Sequence, residues 1–311
     1  MGGELEGTNL MMLVDGENLL HRSFHKFERL KTKDGKSTGA IFGFFKSLHY
    51  LVTRFMPDYV VVTFDNGHSP VRTKLLPSYK VHRQNIAIDF ESLQKQKKII
   101  RGILKCLRIP YIFDKHHKTV YEGDDFLAWF AMNSPYKKTL IVSSDKDFNQ
   151  LITNRITIFN PAKDDRVNKR NCKQLFGYEP EETVDYLTMV GDSSDDIPGF
   201  RGYGEKKTRQ VLDEVGTLEA SFKNNYWGQR TKEYLEVYER NKILIDLRYF
   251  TSKYPIRPRD LPMTKCNKPI NMGRYLKYCE DYSLNSMKTE LFLKPFKDLY
   301  NGTTNRQNNR D

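Results

Sequence analysis

The sequence predicts an α/β protein with a mostly parallel sheet and helices on both faces. Three apolar runs, "NLMMLVD", "YVVVTFD" and "TLIVSSD", are short and continuous rather than alternating, which is typical of strands buried on both sides. The segments between them carry apolar residues at 3.6-residue spacing, as helices packed on a sheet do. Strands that alternate with helices indicate parallel pairing within one sheet.

The helical pattern is clearest in two places. One run of apolar positions extends from Ile41 to Phe55, and the other, Phe126, Leu127 and Phe130, follows Asp124. Both runs fit an amphipathic helix that buries one face. We therefore expect a helix after the first strand and another directly before the third.

Each of the three strand runs ends in an aspartate: Asp15, Asp65 and Asp145. Ligands of such sheets bind beyond the carboxyl ends of the strands, so these carboxylates should lie at one edge. Asp is also common as a helix N-cap or in a turn. One such residue would favour capping, whereas three favour a shared site.

The chain changes character after the strands. Segments such as "EETVDYLTMV", "EKKTRQVLDEV" and "TKEYLEVYERNKILIDL" are helical patterns separated by glycine turns. We expect a catalytic domain at residues 1–185, a helical domain at 186–295 and a disordered tail at 300–311, where almost no apolar residues occur.

Composition restricts the partners. The 311 residues carry a net charge of +12, which favours a polyanion such as nucleic acid. No stretch approaches the ~20 apolar residues of a membrane span, so we expect no membrane partner and a cytoplasmic location. The four cysteines are scattered without zinc-finger spacing, which argues against zinc and structural disulfides.

Further acids belong with the strand-end aspartates. "YEGDD" contributes Glu122, Asp124 and Asp125, "SSDKD" adds Asp147, and "GDSSDD" adds Asp192, Asp195 and Asp196. Singly, these acids could be a helix N-terminus or an ordinary turn. Together they would repel one another unless a cation intervenes. Oxygen ligands without nearby histidine select Mg²⁺ or Mn²⁺, and two such ions form the clamp of phosphodiester cleavage.

A glycine turn and a basic segment lie beside these acids. Gly199, Gly202 and Gly204 precede Lys206 and Lys207, but Glu205 takes the lysine position of a nucleotide-binding loop, so that motif is rejected. A glycine turn between helices could instead hold a phosphate of a duplex on its backbone N–H groups, although a plain helical corner is the simpler alternative.

The segment 72–108 is basic and follows the second strand. We expect Lys80 and Arg83 to grip a phosphate and Tyr79 to stack on a base. Lys95, Lys97 and Lys98 are interpreted as a solvated helix face.

With these residues in place, the chain resembles the 5′-nuclease family, which includes the nuclease domain of bacterial DNA polymerase I, bacteriophage 5′-exonucleases and flap endonucleases. The matching motifs occur in family order: "LVDGENLLHRSFH", "TGAIFGFF", "VVTFDNG", "YKVHR", "YEGDD", "SSDKDFNQL" and "MVGDSSDDIPGFRGYGEKKT". The resemblance implies a PIN-like (resolvase-like) catalytic domain, a helical arch at about 72–108 and a helix-hairpin-helix-type (H3TH) domain. Nothing like a polymerase follows, so the chain looks like a stand-alone form, as phages encode.

The resemblance also implies roles for residues. The first of two Mg²⁺ ions, replaceable by Mn²⁺, would be bound by Asp15, Asp65, Glu122, Asp124 and Asp125. The second would be bound by Asp145, Asp147, Asp192 and Asp195, with Asp124 shared. Lys80 and Arg83 match the basic pair of the arch, and the backbone at Gly202 and Gly204 matches a duplex-binding turn that holds K⁺. Gly123 replaces the family's usual Ala, Asp196 its usual Asn and Lys207 its common Thr.

The sequence hypothesis is a Mg²⁺-dependent 5′-nuclease that cuts near single-strand to duplex junctions in DNA or RNA-primed DNA. Its substrates would be 5′ flaps, nicked or gapped duplex and RNA–DNA hybrid, in primer removal and repair beside replication proteins. Two alternatives stay open: an inert junction-binding accessory protein and a PIN-type ribonuclease acting on folded RNA. The intact acids disfavour the first, and the glycine turn and basic arch disfavour the second.

Overall fold

The computed structural model describes residues 9–65, 67–81, 89–113, 120–256 and 269–301, with side chains to residue 299. Residues 82–88 of the predicted arch, which include Arg83, and residues 302–311 of the predicted tail lie outside the described residues.

A six-stranded sheet forms the centre of the first domain, in the order β3-β2-β1-β4-β5-β6. Its first five strands are parallel and β6 is antiparallel, which confirms the predicted sheet. The strands are β1 (Leu10–Asp15), β2 (Tyr59–Phe64), β3 (Tyr111–Phe113), β4 (Lys138–Val142), β5 (Ile156–Asn160) and β6 (Asp165–Val167). Val14 of β1 lies opposite Val62 and Val142, so the three strands end at nearly the same level.

Helices cover both faces of the sheet. Met11 and Leu13 of β1 face one hydrophobic core, whereas Met12 and Val14 face the other, as the two-residue period of a strand requires. The helices of the first domain are α1 (Gly16–Lys26), α2 (Gly39–Phe55), α3 (Pro70–Leu75), α4 (Phe90–Cys106), α5 (Gly123–Asn133) and α6 (Cys172–Phe176). The two helices expected from apolar spacing are therefore present as α2 and α5.

The second segment is helical, as predicted. It contains α7 (Thr183–Val190), α8 (Glu205–Val215), α9 (Leu218–Lys223), α10 (Thr231–Ile245) and α11 (Leu247–Lys253). A two-stranded pair that the sequence did not indicate, β7 (Gly191–Asp192) with β8 (Ile197–Pro198), joins α7 to the glycine turn.

This helical segment packs firmly on the first domain. Gln150 follows β4, and its side chain donates to the carbonyl of Ile245 and accepts from the N–H of Leu247. Helix α11 packs against α5. The α10–α11 corner is therefore attached directly behind the carboxyl edge of the sheet.

The last two helices return to the first domain. Helices α12 (Met272–Asp281) and α13 (Glu290–Asn301) pack on α4 and α2, not on the helical segment with which the sequence grouped them. Tyr275, Met287 and Phe296 complete the core on that face of the sheet. No helix among the described residues is long and apolar enough to cross a membrane.

Replacing Phe296 with Ala tests the contribution of α13. Phe296 is fully buried, whereas Leu291 on the same helix is 81% exposed. We expect Phe296→Ala to lower the free energy of unfolding by about 3 to 5 kcal/mol through lost burial and a cavity. Leu291→Ala should change it by less than about 0.5 kcal/mol. Urea unfolding of both variants measures this, and equal small effects would contradict the packing of α13.

Candidate active site at the carboxyl edge of the sheet

Asp15 lies at the end of β1 and begins the site. Its Oδ1 accepts from the N–H of Asn18 at 2.9 Å, so it also caps α1, and its Oδ2 accepts from the hydroxyl of Ser143 at 2.7 Å. Burial, together with repulsion from Asp65 and Asp145, raises the pKa of Asp15 to about 7. The capping role and a place in the carboxylate cluster therefore coexist in one residue.

Asp65 follows β2 and reaches toward the start of α5. Its Oδ1 accepts from the N–H of Gly123 at 2.5 Å. A Cβ at position 123 would lie 2.8 Å from this oxygen, so glycine allows an approach that alanine would obstruct. Burial, with repulsion from Glu17 and Glu122 that the attraction of Lys80 only partly offsets, raises the pKa of Asp65 to about 6.

Glu122 accepts hydrogen bonds from a lysine, a tyrosine hydroxyl and a backbone N–H. Its Oε2 accepts from Lys80 at 2.7 Å and from the Tyr79 hydroxyl at 2.9 Å, and its Oε1 accepts from the N–H of Ser69. Burial would raise the pKa of Glu122, but Lys80 and Arg72 outweigh it and lower that pKa to about 2. Glu122 is therefore a fixed anion at the wall of the site.

These contacts correct the stacking role expected for Tyr79. The side chain of Tyr79 is only 3% exposed, because its hydroxyl is bonded to Glu122 and its ring packs in the core. Lys80 is also buried, and its ammonium lies 3.6 Å from Asp195 as well as contacting Glu122. Tyr79 thus positions Glu122 through a hydrogen bond, and Lys80 partly neutralises the negative charge of the site.

Asp125 is held by Arg72, a residue whose role the sequence did not reveal. Arg72 is 2% exposed and donates to both carboxylate oxygens of Asp125, at 2.7 and 2.8 Å. Oδ2 of Asp125 also accepts from the N–H of Glu122. Both carboxylate oxygens of Asp125 are therefore engaged by protein donors, while its expected role as a metal ligand stays a prediction.

The other face of Arg72 contacts the helical segment. Its guanidinium lies 3.9 Å from the ring centroid of Phe250 on α11. No local sequence pattern marks an arginine that pairs with an acid 53 positions away.

The remaining acids divide into two interacting groups. Burial and repulsion from Asp15, Asp65 and Asp145 raise the pKa of Asp124 well above its ordinary value. Burial and repulsion from Asp145, Asp192 and Asp195 do the same for Asp147. Asp124 thus interacts with acids from both predicted ligand sets, and the sets themselves stay predictions.

The pair β7–β8 brings the last two aspartates to this edge. Asp192 is 2% exposed, accepts from the N–H and hydroxyl of Ser194, and lies 3.5 Å from the ammonium of Lys146. The main-chain carbonyl of Asp195 accepts from the N–H of Lys80 at 3.0 Å. Asp196 has φ of 56°, a left-handed conformation that Asp and Asn tolerate best, which accounts for either residue at this position.

The chemistry of the site fits a hard divalent cation. Its donors are carboxylates, and Oδ1 of Asp147 is buried without a hydrogen-bond partner, an oxygen that a cation or its water would satisfy. Within the described residues, no three or more His, Cys, Asp or Glu side chains are grouped to hold one ion directly. Mg²⁺ does not require such a cage, because it keeps several waters and uses one or two carboxylates.

Comparison with known protein families identifies the family of this chain. The family described as "5'-3' exonuclease, N-terminal resolvase-like domain" matches residues 10–177, and "5'-3' exonuclease, C-terminal SAM fold" matches residues 178–268. The chain belongs to the 5′-3′ exonuclease family. It is a nuclease by family. The resolvase-like domain carries most of the carboxylates, and the SAM-like fold carries Asp192, Asp195 and the glycine turn.

Two individual relatives are similar to this chain over more than two thirds of its length. A 5′-3′ exonuclease of Aquifex aeolicus is 34% identical over 226 residues, which cover 72% of this chain and 75% of the relative. The thermostable DNA polymerase I of Thermus aquaticus is 32% identical over 70% of this chain, but the match spans only 26% of the polymerase.

Solved structures share the fold. The T5 5′-exonuclease with bound zinc has a TM-score of 0.63 at 20% identity, and the match covers 94% of this chain and 98% of the other. Flap endonuclease-1 from Methanococcus jannaschii has a TM-score of 0.58 at 14% identity, with 94% and 92% covered.

The glycine turn of this family member is a surface feature. Gly202 has φ of 86°, which an L side chain rarely adopts, and Gly204 caps α8 without a side-chain hydrogen bond. Lys206 and Lys207 are exposed. Arg209 is engaged elsewhere, because it binds both carboxylate oxygens of Glu182 and also Asp213.

The sequence interpretation did not predict a cationic concavity on the first domain. It has a volume of about 370 Å³ and lies between α1, α2 and the end of β5, with Arg22, Lys26 and Lys46 in its walls. Within the described part of the chain, none of these three cations forms an ion pair with an acid. The spacing of Arg22 and Lys26 on one helical face was the available signal.

Arg72→Met tests the buried ion pair. Removing the guanidinium leaves Asp125 and part of the charge of Glu122 uncompensated in the interior, which should lower the free energy of unfolding by about 3 to 5 kcal/mol. Lys74→Met, an exposed change on the same helix, should stay within about 0.5 kcal/mol. Thermal or urea unfolding compares the two variants. A similarly small change in the free energy of unfolding for both would mean that the charge of Arg72 is not needed for stability.

Proposed function

We propose that this chain is a divalent-metal-dependent, structure-specific 5′-nuclease. Its reaction is hydrolysis of phosphodiesters near single-strand to duplex junctions in DNA or RNA-primed DNA. The observation that carries the proposal is the convergence of buried, mutually repelling carboxylates at the ends of β1, β2 and β4. Membership in the exonuclease family supports the reaction class.

The acids at this edge other than Glu122 and Asp125 are the best candidates to hold metal. Asp15, Asp65 and Asp124 would serve one Mg²⁺ or Mn²⁺, and Asp145, Asp147, Asp192 and Asp195 a second, with Asp124 near both. When bound, such ions activate water and stabilise the charge of the phosphodiester. The T5 5′-exonuclease and the bacteriophage T5 flap endonuclease were solved with divalent or other metal ions, which supports this assignment.

Glu122 and Asp125 have a supporting role in this proposal. Each is committed to a buried cation, Glu122 to Lys80 and Asp125 to Arg72. Lys80 keeps a positive charge beside the acids, where it can favour an incoming phosphate. Arg83 remains a proposed phosphate contact on the basis of the family motif alone.

Duplex binding is proposed for the glycine turn. The N-terminus of α8 presents backbone N–H groups beside exposed Lys206 and Lys207, a combination that suits a phosphate. A K⁺ ion at the backbone of Gly202 and Gly204 is part of the same proposal. The T5 flap endonuclease complex contains DNA. Primer removal in replication and repair would use an activity of this kind.

Cleavage of a 5′-flap DNA labelled at its 3′ end tests the proposed function. Wild-type protein should cut near the junction in Mg²⁺, whereas the double variant Asp145→Asn, Asp147→Asn should show no detectable cutting, because two metal-facing charges are lost. The same flap made of RNA, or primed with RNA, reports substrate preference.

Binding measured in Ca²⁺ provides the control for that experiment. The double variant should still bind the flap DNA. Tight binding without cutting by wild type, in both Mg²⁺ and Mn²⁺, would leave an inert junction-binding protein.

The duplex-binding role of the turn predicts a change in salt dependence. Lys206→Ala, Lys207→Ala should reduce the slope of log K against log salt by about 2, since two phosphate contacts are lost. Lys137→Ala, Lys138→Ala is the matched control, because this exposed pair lies at the opposite edge of the sheet, where β4 begins. Equal slopes for both variants would remove the glycine turn from the DNA interface.

A further inference from the structure

Lys97 is buried in a helix that the sequence placed in solvent. It lies on α4 and is 3% exposed, whereas its neighbour Lys98 is exposed. The expectation of a solvated face is therefore wrong for Lys97. The signal was present in the periodicity, because position 97 is in phase with the buried Leu93, Ile100 and Leu104.

The ammonium of Lys97 has two close partners. It donates to Oε2 of Glu17 at 2.6 Å and to the main-chain carbonyl of Asp65 at 2.6 Å. The rings of Phe64 and Phe113 lie 5.8 Å from the same nitrogen. A buried lysine is costly unless it is paired and hydrogen-bonded, and these contacts meet both conditions.

Both partners adjoin candidate metal ligands. Glu17 is in the first turn of α1, two residues after Asp15. Asp65 is itself a candidate ligand, and its carbonyl is held by Lys97 while its carboxylate is held by the N–H of Gly123. The backbone and the side chain of Asp65 are thus fixed from opposite sides, by α4 and by α5.

The pair also attaches α4 to the site. Helix α4 follows residues 82–88, which contain Arg83, and Lys97 attaches its middle to the carboxyl edge of the sheet. At the far end of α4, the N–H of Asn271 donates to the carbonyl of Cys106. Lys97 therefore attaches α4 directly to the backbone of a candidate metal ligand.

We propose that Glu17 and Lys97 form a positioning pair for the metal site. The pair sets the orientation of Asp65 relative to Asp15 and holds helix α4 against the site. This inference rests on the proposed function. A purely structural pair would contribute to stability alone, whereas a positioning pair must also contribute to metal affinity, as residues behind a metal ligand commonly do.

Three variants test the proposal. Lys97→Met removes the charge at similar length, Glu17→Gln with Lys97→Met removes both charges, and Lys98→Met is the matched control one position along α4. Mn²⁺ binding is measured by electron paramagnetic resonance without DNA, and kcat and KM are measured on 5′-flap DNA. We expect the Mn²⁺ dissociation constant to rise and kcat to fall by about tenfold or more in the first two variants. KM should change less than about twofold, and Lys98→Met should match wild type.

The outcomes distinguish failure of the positioning role from failure of the proposed function. Unchanged Mn²⁺ affinity in a folded Lys97→Met protein overturns the positioning role, whatever happens to its melting temperature. If Lys97→Met does not fold because Glu17 is left unpaired, Glu17→Gln alone decides, since it keeps the shape and should still weaken Mn²⁺ binding several-fold; unchanged binding overturns the proposal there too. A wild-type protein that neither binds Mn²⁺ nor cuts DNA would refute the proposed function instead.

Discussion

Repulsion among buried carboxylates at the carboxyl edge of the sheet determines which charged groups must lie around the site. The parallel register brings the ends of β1, β2 and β4 to one level, so Asp15, Asp65 and Asp145 cannot avoid one another. Burial adds to the penalty, because low-dielectric surroundings disfavour every one of these charges. The fold tolerates this arrangement only because cations enter the same region, some from the protein itself and the rest, as we propose, from solution.

The protein's own cations are distributed unevenly. Lys80 and Arg72 lower the pKa of Glu122, and Lys97 and His21 do so for Glu17 against the effect of burial. For the other acids of the site, burial and mutual repulsion outweigh any attraction of Lys80 or Lys146, so their pKa values are raised. These acids are Asp15, Asp65, Asp124, Asp145 and Asp147. In the proposed function, this division distinguishes carboxylates that support the site from those that would hold a metal.

The sequence was informative where the signal is local. Apolar runs ending in aspartate located three strands and the edge they share, and apolar spacing located α2 and α5. The sequence did not reveal interactions between residues that are far apart in the chain. Arg72 pairs with an acid 53 positions away and Lys97 with one 80 positions away, so neither ion pair could be predicted from neighbouring residues. The burial of Tyr79 depends on Glu122 in the same way.

The ion pair of Arg72 also explains why the two domains form one site. Its guanidinium binds Asp125 at the start of α5 and packs on Phe250 of α11, so the catalytic edge and the helical segment share one buried cation. On the other side, β7–β8 leads from Asp192 directly to the turn at Gly202. A duplex seated on that turn would be fixed relative to the carboxylates by short, rigid connections. Positioning of the scissile phosphate would then depend on the same charge balance that allows the acids to be buried.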